Sequence, residues 1–169
     1  MSVHAVVLAA GASSRYGASP PKQAVLLPRV LDALRAARSL DGILVVLGAH
    51  EVATDAPTVR APDWERGPGA SLRRGLAALP TDAEAAVVAL ADGPDLDPHA
   101  VDRVVAAWRE TGADVLAATY GGLRLHPVLL ARAVWASVPD EGARSLPAEP
   151  VPCDDLPAPG DVDTVPADP

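Results

Sequence analysis

Apolar runs of strand length alternate with stretches of helical periodicity along most of the chain. The runs that predict strands lie at residues 3–9, 43–47, 57–61, 85–91 and 114–119. The first and fourth runs are apolar at almost every position, which is typical of central parallel strands buried on both faces. Helical segments separate the strands, so the pattern predicts an α/β fold with a mainly parallel sheet and right-handed crossovers.

The predicted helices each carry one apolar stripe. The first is predicted over 29–38, with Pro28 where a helix can begin. A second follows the glycine-punctuated stretch 63–70 and ends near Leu79, and a third covers 98–111. The stripe of the third helix is assigned to the core and consists of Val101, Val104, Val105 and Trp108. Beyond it, a tight turn and an extended segment are predicted over 120–130, and the proline-rich segment 147–159 is expected to lie extended against the sheet.

A loop rich in small residues follows the first strand. It contains two glycines, two serines and Arg15, and Lys22, the only lysine of the chain, comes shortly after it. Small residues let backbone N–H groups approach a ligand closely, and two nearby cations favour a phosphate. The loop lacks the Gly-Lys-Ser/Thr ending of a Walker A loop and the Gly-x-Gly-x-x-Gly dinucleotide fingerprint. An ordinary glycine-rich turn remains the alternative.

Two further positions are candidates for a ligand site. Asp92 directly follows the run 85–91, and the carboxyl ends of parallel strands meet at one sheet edge, so Asp92 and the loop after the first strand should converge there. The alternative for Asp92 is a turn residue before glycine. Ser71, with Arg73 and Arg74, could form an anion-facing helix start. The alternative is a capping serine with two solvated arginines.

Length, net charge, hydropathy and cysteine content limit the number of domains and the kinds of partner that we expect. At 169 residues the chain has the length of one domain, expected over 1–169, whose segment 146–169 is proline-rich and acidic. A net charge of −8 argues against a nucleic-acid surface. No apolar run has the length of a membrane span, and the N-terminus lacks a signal pattern, so we expect no membrane partner and a cytoplasmic location. The single cysteine excludes an internal disulfide.

Six motifs, in order, resemble those of MobA-like nucleotidyltransferases, closest to the molybdenum cofactor cytidylyltransferases. They are the loop 8–17 with Pro21-Lys22, the Asp-Trp-x-x-Gly-x-x-x-Ser-Leu stretch 63–72, Leu-Ala-Asp-Gly-Pro at 90–94, His126-Pro127, Gly142-Ala143-Arg144, and Asp161-Val162-Asp163-Thr164. The resemblance implies a Rossmann-like three-layer αβα sandwich of the nucleotide-diphospho-sugar transferase type. It also implies Mg²⁺-dependent transfer of NMP from an NTP, which is CTP or GTP with CTP favoured, to a phosphorylated acceptor such as molybdopterin, with release of pyrophosphate.

The same resemblance assigns roles to particular residues. Catalytic roles fall to Arg15, Lys22 and Asp92, acceptor binding to His126 and Arg144, and Mg²⁺ binding to Asp92 with Asp163 or, alternatively, Asp161. The residues implied in nucleotide binding are Leu8, Ala9, Ala10, Gly11, Ala12, Ser13, Ser14, Arg15, Lys22, Ser71 and Asp92.

The chain departs from the family pattern at several points. Leu125 stands where the family has glycine, Val165 interrupts the usual Thr-Pro, and the customary last helix is missing. The family's Gly-Gly turn after Lys22, near its base-recognition region, is missing too. Two other functions therefore stay open: transfer to a different acceptor, such as a sugar phosphate or phospholactate, and a degenerate nucleotide-binding protein without turnover.

Overall fold

The protein is described by a computed structural model covering residues 2–11 and 22–160, without the side chains of residues 22 and 23. The strands are β1 (Ser2–Ala9), β2 (Gly42–Leu47), β3 (Thr58–Arg60), β4 (Ala83–Leu90), β5 (Val115–Tyr120), β6 (Leu123–Ala131) and β7 (Glu149–Pro152). The α-helices are α1 (Lys22–Ala36), α2 (Pro68–Ala77) and α3 (Pro98–Thr111). Short 3₁₀ helices cover Trp64–Arg66, Arg132–Ser137 and Ala143–Ser145.

The described strands form one sheet in the order β3-β2-β1-β4-β6-β5-β7. Strands β1 to β4 are mutually parallel where they pair, and β7 is parallel to β5. Among the described strands, only β6 runs antiparallel to its neighbours β4 and β5. The predicted α/β fold with a mainly parallel sheet is confirmed, and each strand predicted over 3–9, 43–47, 57–61, 85–91 and 114–119 is present.

Side chains from the two faces of the sheet enter two separate cores. Along β1, Val7 packs in the core with Leu34 of α1 and Val104 of α3, whereas Val6 packs in the core with Leu72 of α2. Trp135, in the 3₁₀ helix Arg132–Ser137, also packs on the α2 side. This alternation along a strand buried on both faces produces the three layers, helix–sheet–helix.

The prediction for the start of the first helix was wrong. Helix α1 begins at Lys22, six residues before Pro28, and the proline lies inside it on the solvent-exposed side. The apolar stripe continues back from Leu34 and Leu31 to Leu27, which is buried, so packing on the sheet outweighs the intrahelical hydrogen bond that a proline removes.

Helix α3 has the predicted bounds because local signals mark both ends. The Asp97 carboxylate accepts a hydrogen bond from the His99 N–H at 2.8 Å, Pro98 occupies the first helical position, and Gly112 ends the helix with a φ of 66°. Its predicted apolar stripe is buried. Of the described helices, none has the length and hydropathy needed to cross a membrane.

The segment after residue 147 lies extended, as predicted, and contributes β7. Arg103 of α3 fixes this segment, because its guanidinium donates to the Pro152 carbonyl at 3.0 Å and to both Asp155 carboxylate oxygens at 2.7 and 3.1 Å. The chain then returns to the carboxyl end of β4, where the Asp95 N–H donates to the Pro159 carbonyl at 2.9 Å.

Candidate functional site

The carboxyl ends of β1 and β4 meet at the centre of one sheet edge. Leu8 pairs with Leu90, and the Ala91 N–H donates to the Leu8 carbonyl at 3.0 Å. Gly11 and Asp92 therefore leave adjacent strands at the same edge, as the sequence predicts. Leu8 is partly buried, and the next two residues of the predicted nucleotide set, Ala9 and Ala10, are buried.

Several predicted site residues lie outside the described part of the chain. These are Ala12, Ser13, Ser14 and Arg15 of the loop, the side chain of Lys22, and both candidate second metal ligands, Asp161 and Asp163. Their assigned roles stay predictions.

Ser71 lies within α2 and is not its cap. The N-cap is Gly67, and the Ser71 side chain is buried, with 1% of its surface exposed. A Cβ on Gly75, one turn later on the same face, would contact Val6 and Val46 in the middle of the sheet. Because α2 connects parallel strands and runs against them, Ser71 is nearer than Gly75 to the edge where the strands end.

Of the two alternatives for Ser71, Arg73 and Arg74, the anion-facing helix start is wrong, because the start of α2 is already hydrogen-bonded to another segment. The Asp140 carbonyl accepts from the Gly69 N–H at 2.9 Å, and glycine at this position leaves room for the 139–140 backbone. Arg73 donates to the Val138 carbonyl and to the Asp140 carboxylate, both at 2.6 Å. Arg74 is exposed. The Gly69 N–H and the Arg73 guanidinium are therefore both bonded to the loop at 138–140, which is distant in sequence.

A bulge in β6 brings His126 to the site. Ala117 pairs with Val128 and Thr119 with Arg124, so three residues of β6 lie opposite the single residue between Ala117 and Thr119. The His126–Pro127 peptide within the bulge is cis. The Tyr120 hydroxyl donates to the His126 carbonyl at 3.0 Å and holds the bulge against β5.

The surroundings of His126 favour the neutral imidazole. Burial lowers the pKa of His126 to about 4, and the positive charge of Arg124 acts in the same direction. The carboxylate of Asp92 opposes this shift, which also shows that His126 and Asp92 are close enough to interact. At neutral pH the imidazole therefore offers one donor and one acceptor without a net charge.

Arg124 is a candidate site residue that sequence reasoning missed. Its guanidinium donates to the Leu146 carbonyl at 2.7 Å and to the Ala143 carbonyl at 2.9 Å, which ties the 3₁₀ helix Ala143–Ser145 to β6. Burial lowers the pKa of Arg124, and no described carboxylate forms an ion pair with it. The available signal was an arginine two positions before His126 in the predicted acceptor segment.

A cavity of about 420 Å³ joins these elements. It brings together His126 and Arg144, the two residues that the resemblance assigns to the acceptor, and adds Arg124. Gly93, the neighbour of Asp92, forms part of the wall, and the chain at 158–160 forms another part. A Cβ on Gly93 would lie 3.2 Å from the Gly160 carbonyl oxygen, so the returning chain passes directly beside the Asp92 turn.

Comparisons with known proteins agree with this architecture. The family described as "MobA-like NTP transferase domain" matches residues 5–148. Rv0371c from Mycobacterium tuberculosis H37Rv is similar in structure, with a TM-score of 0.79, 27% identity, and coverage of 97% of this chain and 94% of that one. Its complex with manganese aligns with a TM-score of 0.70, 23% identity, and coverage of 90% and 88%.

A more distant structure shares the fold. CMP:2-keto-3-deoxy-manno-octonic acid synthetase, solved in complex with CTP, aligns with a TM-score of 0.69 and 12% identity, over 83% of this chain and 80% of that one. No curated protein sequence matches the chain. Because the family model matches residues 5–148, which is most of the chain, the chain belongs to the MobA-like NTP transferase domain family.

Proposed function

We propose that this protein is a Mg²⁺-dependent nucleotidyltransferase that transfers NMP from an NTP, with CTP favoured, to a phosphorylated acceptor such as molybdopterin. The observation that carries the proposal is the convergence of three features at one sheet edge: Gly11 at the end of β1, Asp92 at the end of β4, and the cavity lined by His126 and Arg144. A nucleotide bound across the β1 and β4 ends would direct its phosphates toward that cavity.

The nucleotide side of the site is assigned to the loop that follows β1. Backbone N–H groups after Ala10, together with Arg15 and Lys22, would bind the triphosphate and stabilise the charge that develops on the leaving pyrophosphate. Leu8, Ala9 and Ala10 would form the floor beneath the nucleotide, and Ser71 its side wall. The reaction needs an in-line arrangement of the two phosphates and charge neutralisation, and it needs no nucleophilic side chain.

The donor set fits a magnesium ion. Mg²⁺ is usually held in proteins by one or two carboxylates together with substrate phosphates and water, and Asp92 offers a carboxylate at the required edge. Asp163, the proposed second ligand, follows Gly160 by three residues, which span at most about 10 Å. When bound, Mg²⁺ would supply charge neutralisation at the reacting phosphates. The manganese complex of the similar Rv0371c supports a divalent cation in this fold.

The acceptor is assigned to the cavity beside His126. With its pKa lowered to about 4, His126 is neutral at physiological pH and would offer the acceptor one hydrogen-bond donor and one hydrogen-bond acceptor. Arg144 would attract the acceptor phosphate and hold it near the nucleotide.

Two measurements test the proposal. Isothermal titration with CTP, GTP and ATP, each with Mg²⁺, reports nucleotide binding, and a pyrophosphate-release assay against a panel of phosphorylated acceptors reports turnover. We expect CTP to bind most tightly and pyrophosphate to appear only with an acceptor present. Binding without pyrophosphate release for any acceptor would favour the degenerate nucleotide-binding protein, and failure to bind any NTP would overturn the proposal.

The Lys22→Ala variant tests the nucleotide side with a matched control. Loss of one charge-assisted contact should weaken CTP binding by roughly 10-fold or more. Arg109→Ala removes one positive charge from the exposed end of α3, far from the sheet edge, and should leave the affinity unchanged. Equal CTP affinity in Lys22→Ala and the parent would remove Lys22 from the site.

A further inference from the structure

The described wall of the cavity beside His126 is mostly apolar, with polar side chains at three positions. Among the described residues that line it, the side chains able to form hydrogen bonds are Arg124, His126 and Arg144. None of these lining residues carries a carboxylate, a carboxamide or a hydroxyl group. The remaining wall is apolar or glycine, and its larger side chains are Leu90, Leu96, Leu125, Val128 and Pro159.

The two arginines differ from most others in the described part of the chain. Arg29, Arg35, Arg60, Arg66, Arg73 and Arg103 each form an ion pair with a carboxylate. No such pair involves Arg124 or Arg144 among the described residues. Arg124 is held instead by two neutral carbonyls, at 2.7 and 2.9 Å, which orient its guanidinium.

A partly buried guanidinium that has no carboxylate partner in the described part of the chain favours an anionic ligand. Arginine binds phosphate and carboxylate groups through paired N–H donors, and this interaction is strengthened where water is partly excluded. Because Arg124 also holds the 3₁₀ helix Ala143–Ser145, it fixes the backbone that carries Arg144. Arg124 is therefore held beside the backbone that carries Arg144, and both arginines line the cavity.

We infer that the cavity selects an acceptor whose anionic group is attached to a body, the rest of the molecule, with few hydroxyl groups. Arg124 and Arg144 bind the anion, and the wall around Leu90, Leu96 and Val128 contacts the body. As a statement about the acceptor, this inference rests on the proposed function. A sugar phosphate has the required anion, but its hydroxyls would meet apolar groups. Each hydroxyl buried without a partner would weaken binding by roughly 5- to 150-fold.

The inference is tested with two probes that share a phosphate monoester but differ in the body. Phenyl phosphate has an apolar body and glucose 1-phosphate a hydroxyl-rich one. Binding of each is measured by isothermal titration, first to the protein alone and then with saturating CTP and Mg²⁺. We expect phenyl phosphate to bind at least about 10-fold more tightly than glucose 1-phosphate. Equal affinity, tighter binding of the sugar phosphate, or no binding of phenyl phosphate in either condition would overturn the inference.

Variants separate this cavity from the nucleotide loop, which could also attract a phosphate. Arg144→Ala should weaken phenyl phosphate binding by roughly 10-fold or more, whereas Arg109→Ala should not change it. Arg144 is exposed, so its substitution is expected to leave the fold intact. Arg124→Lys, which keeps the charge but not the paired donors, should also weaken binding, and an unchanged affinity in both variants would refute the role of the arginines.

The same titrations distinguish failure of this inference from failure of the proposed function. A protein that binds CTP with Mg²⁺ but does not prefer phenyl phosphate would overturn only the inference about the acceptor. A protein that binds phenyl phosphate in an Arg144-dependent way but binds no NTP would overturn the proposed function and leave the anion-binding cavity established.

Discussion

The low pKa of His126 predicts a specific dependence of stability on pH. Burial lowers this pKa from 6.5 to about 4 in the folded protein, whereas the unfolded chain keeps the ordinary value. Between these two values the unfolded state binds a proton that the folded state does not, so stability falls as the pH falls from about 6.5 toward 4. Each pH unit between the two pKa values changes the free energy of unfolding by about 1.36 kcal/mol. Lowering the pH from 7 to 5 crosses about 1.5 of these units below 6.5, so His126 alone should lower the free energy of unfolding by about 2 kcal/mol.

Urea unfolding of the parent and of His126→Gln at pH 7 and pH 5 measures this effect. The variant does not titrate at this position, so the difference in unfolding free energy between the two proteins should change by about 2 kcal/mol over this interval. A parent-to-variant difference that stays constant within about 0.5 kcal/mol would refute the burial of a neutral imidazole at His126.

Two further substitutions test contacts that support the site. Tyr120→Phe removes the hydroxyl that donates to the His126 carbonyl, so the free energy of unfolding in urea should fall by about 1 kcal/mol, and isothermal titration should show a weaker affinity for phenyl phosphate. Thr111→Val is the control, because it removes a hydroxyl from the last turn of α3 and should change stability without changing this affinity. Gly75→Ala would bring a methyl group to 2.6 Å from Cγ2 of Val46, and overpacking between α2 and the sheet should lower the free energy of unfolding by about 1–3 kcal/mol. A Gly75→Ala protein as stable as the parent in the same assay would contradict that packing.

The parts of the fold that were predictable depend on signals close together in the sequence. Helix α3 has a capping Asp97, a proline at its first position and Gly112 at its end, so its bounds are marked locally. The strands predicted over 3–9 and 85–91 are apolar on both faces, which identifies them as central parallel strands. The convergence of Gly11 and Asp92 then follows, because parallel strands end at the same edge.

The parts that were not predictable depend on contacts between distant segments. Pro28 is a local signal for a helix start, but burial of Leu27 against the sheet extends α1 back to Lys22. The start of α2 resembles an anion site locally, and its partner Asp140 comes 71 residues after Gly69. The role of Arg124 depends likewise on the backbone of a later 3₁₀ helix, which residue spacing alone does not show.

The central claim is that Asp92 helps to hold Mg²⁺ for transfer from a nucleotide bound at the carboxyl ends of β1 and β4. The most direct measurement is the affinity for CTP with and without Mg²⁺, and the rate of pyrophosphate release, in the parent and in Asp92→Asn. We predict that Mg²⁺ strengthens CTP binding in the parent, and that the variant loses this strengthening and releases pyrophosphate slower by on the order of 100-fold or more. An Asp92→Asn protein that keeps both the Mg²⁺-dependent affinity and the parent's rate would contradict the claim.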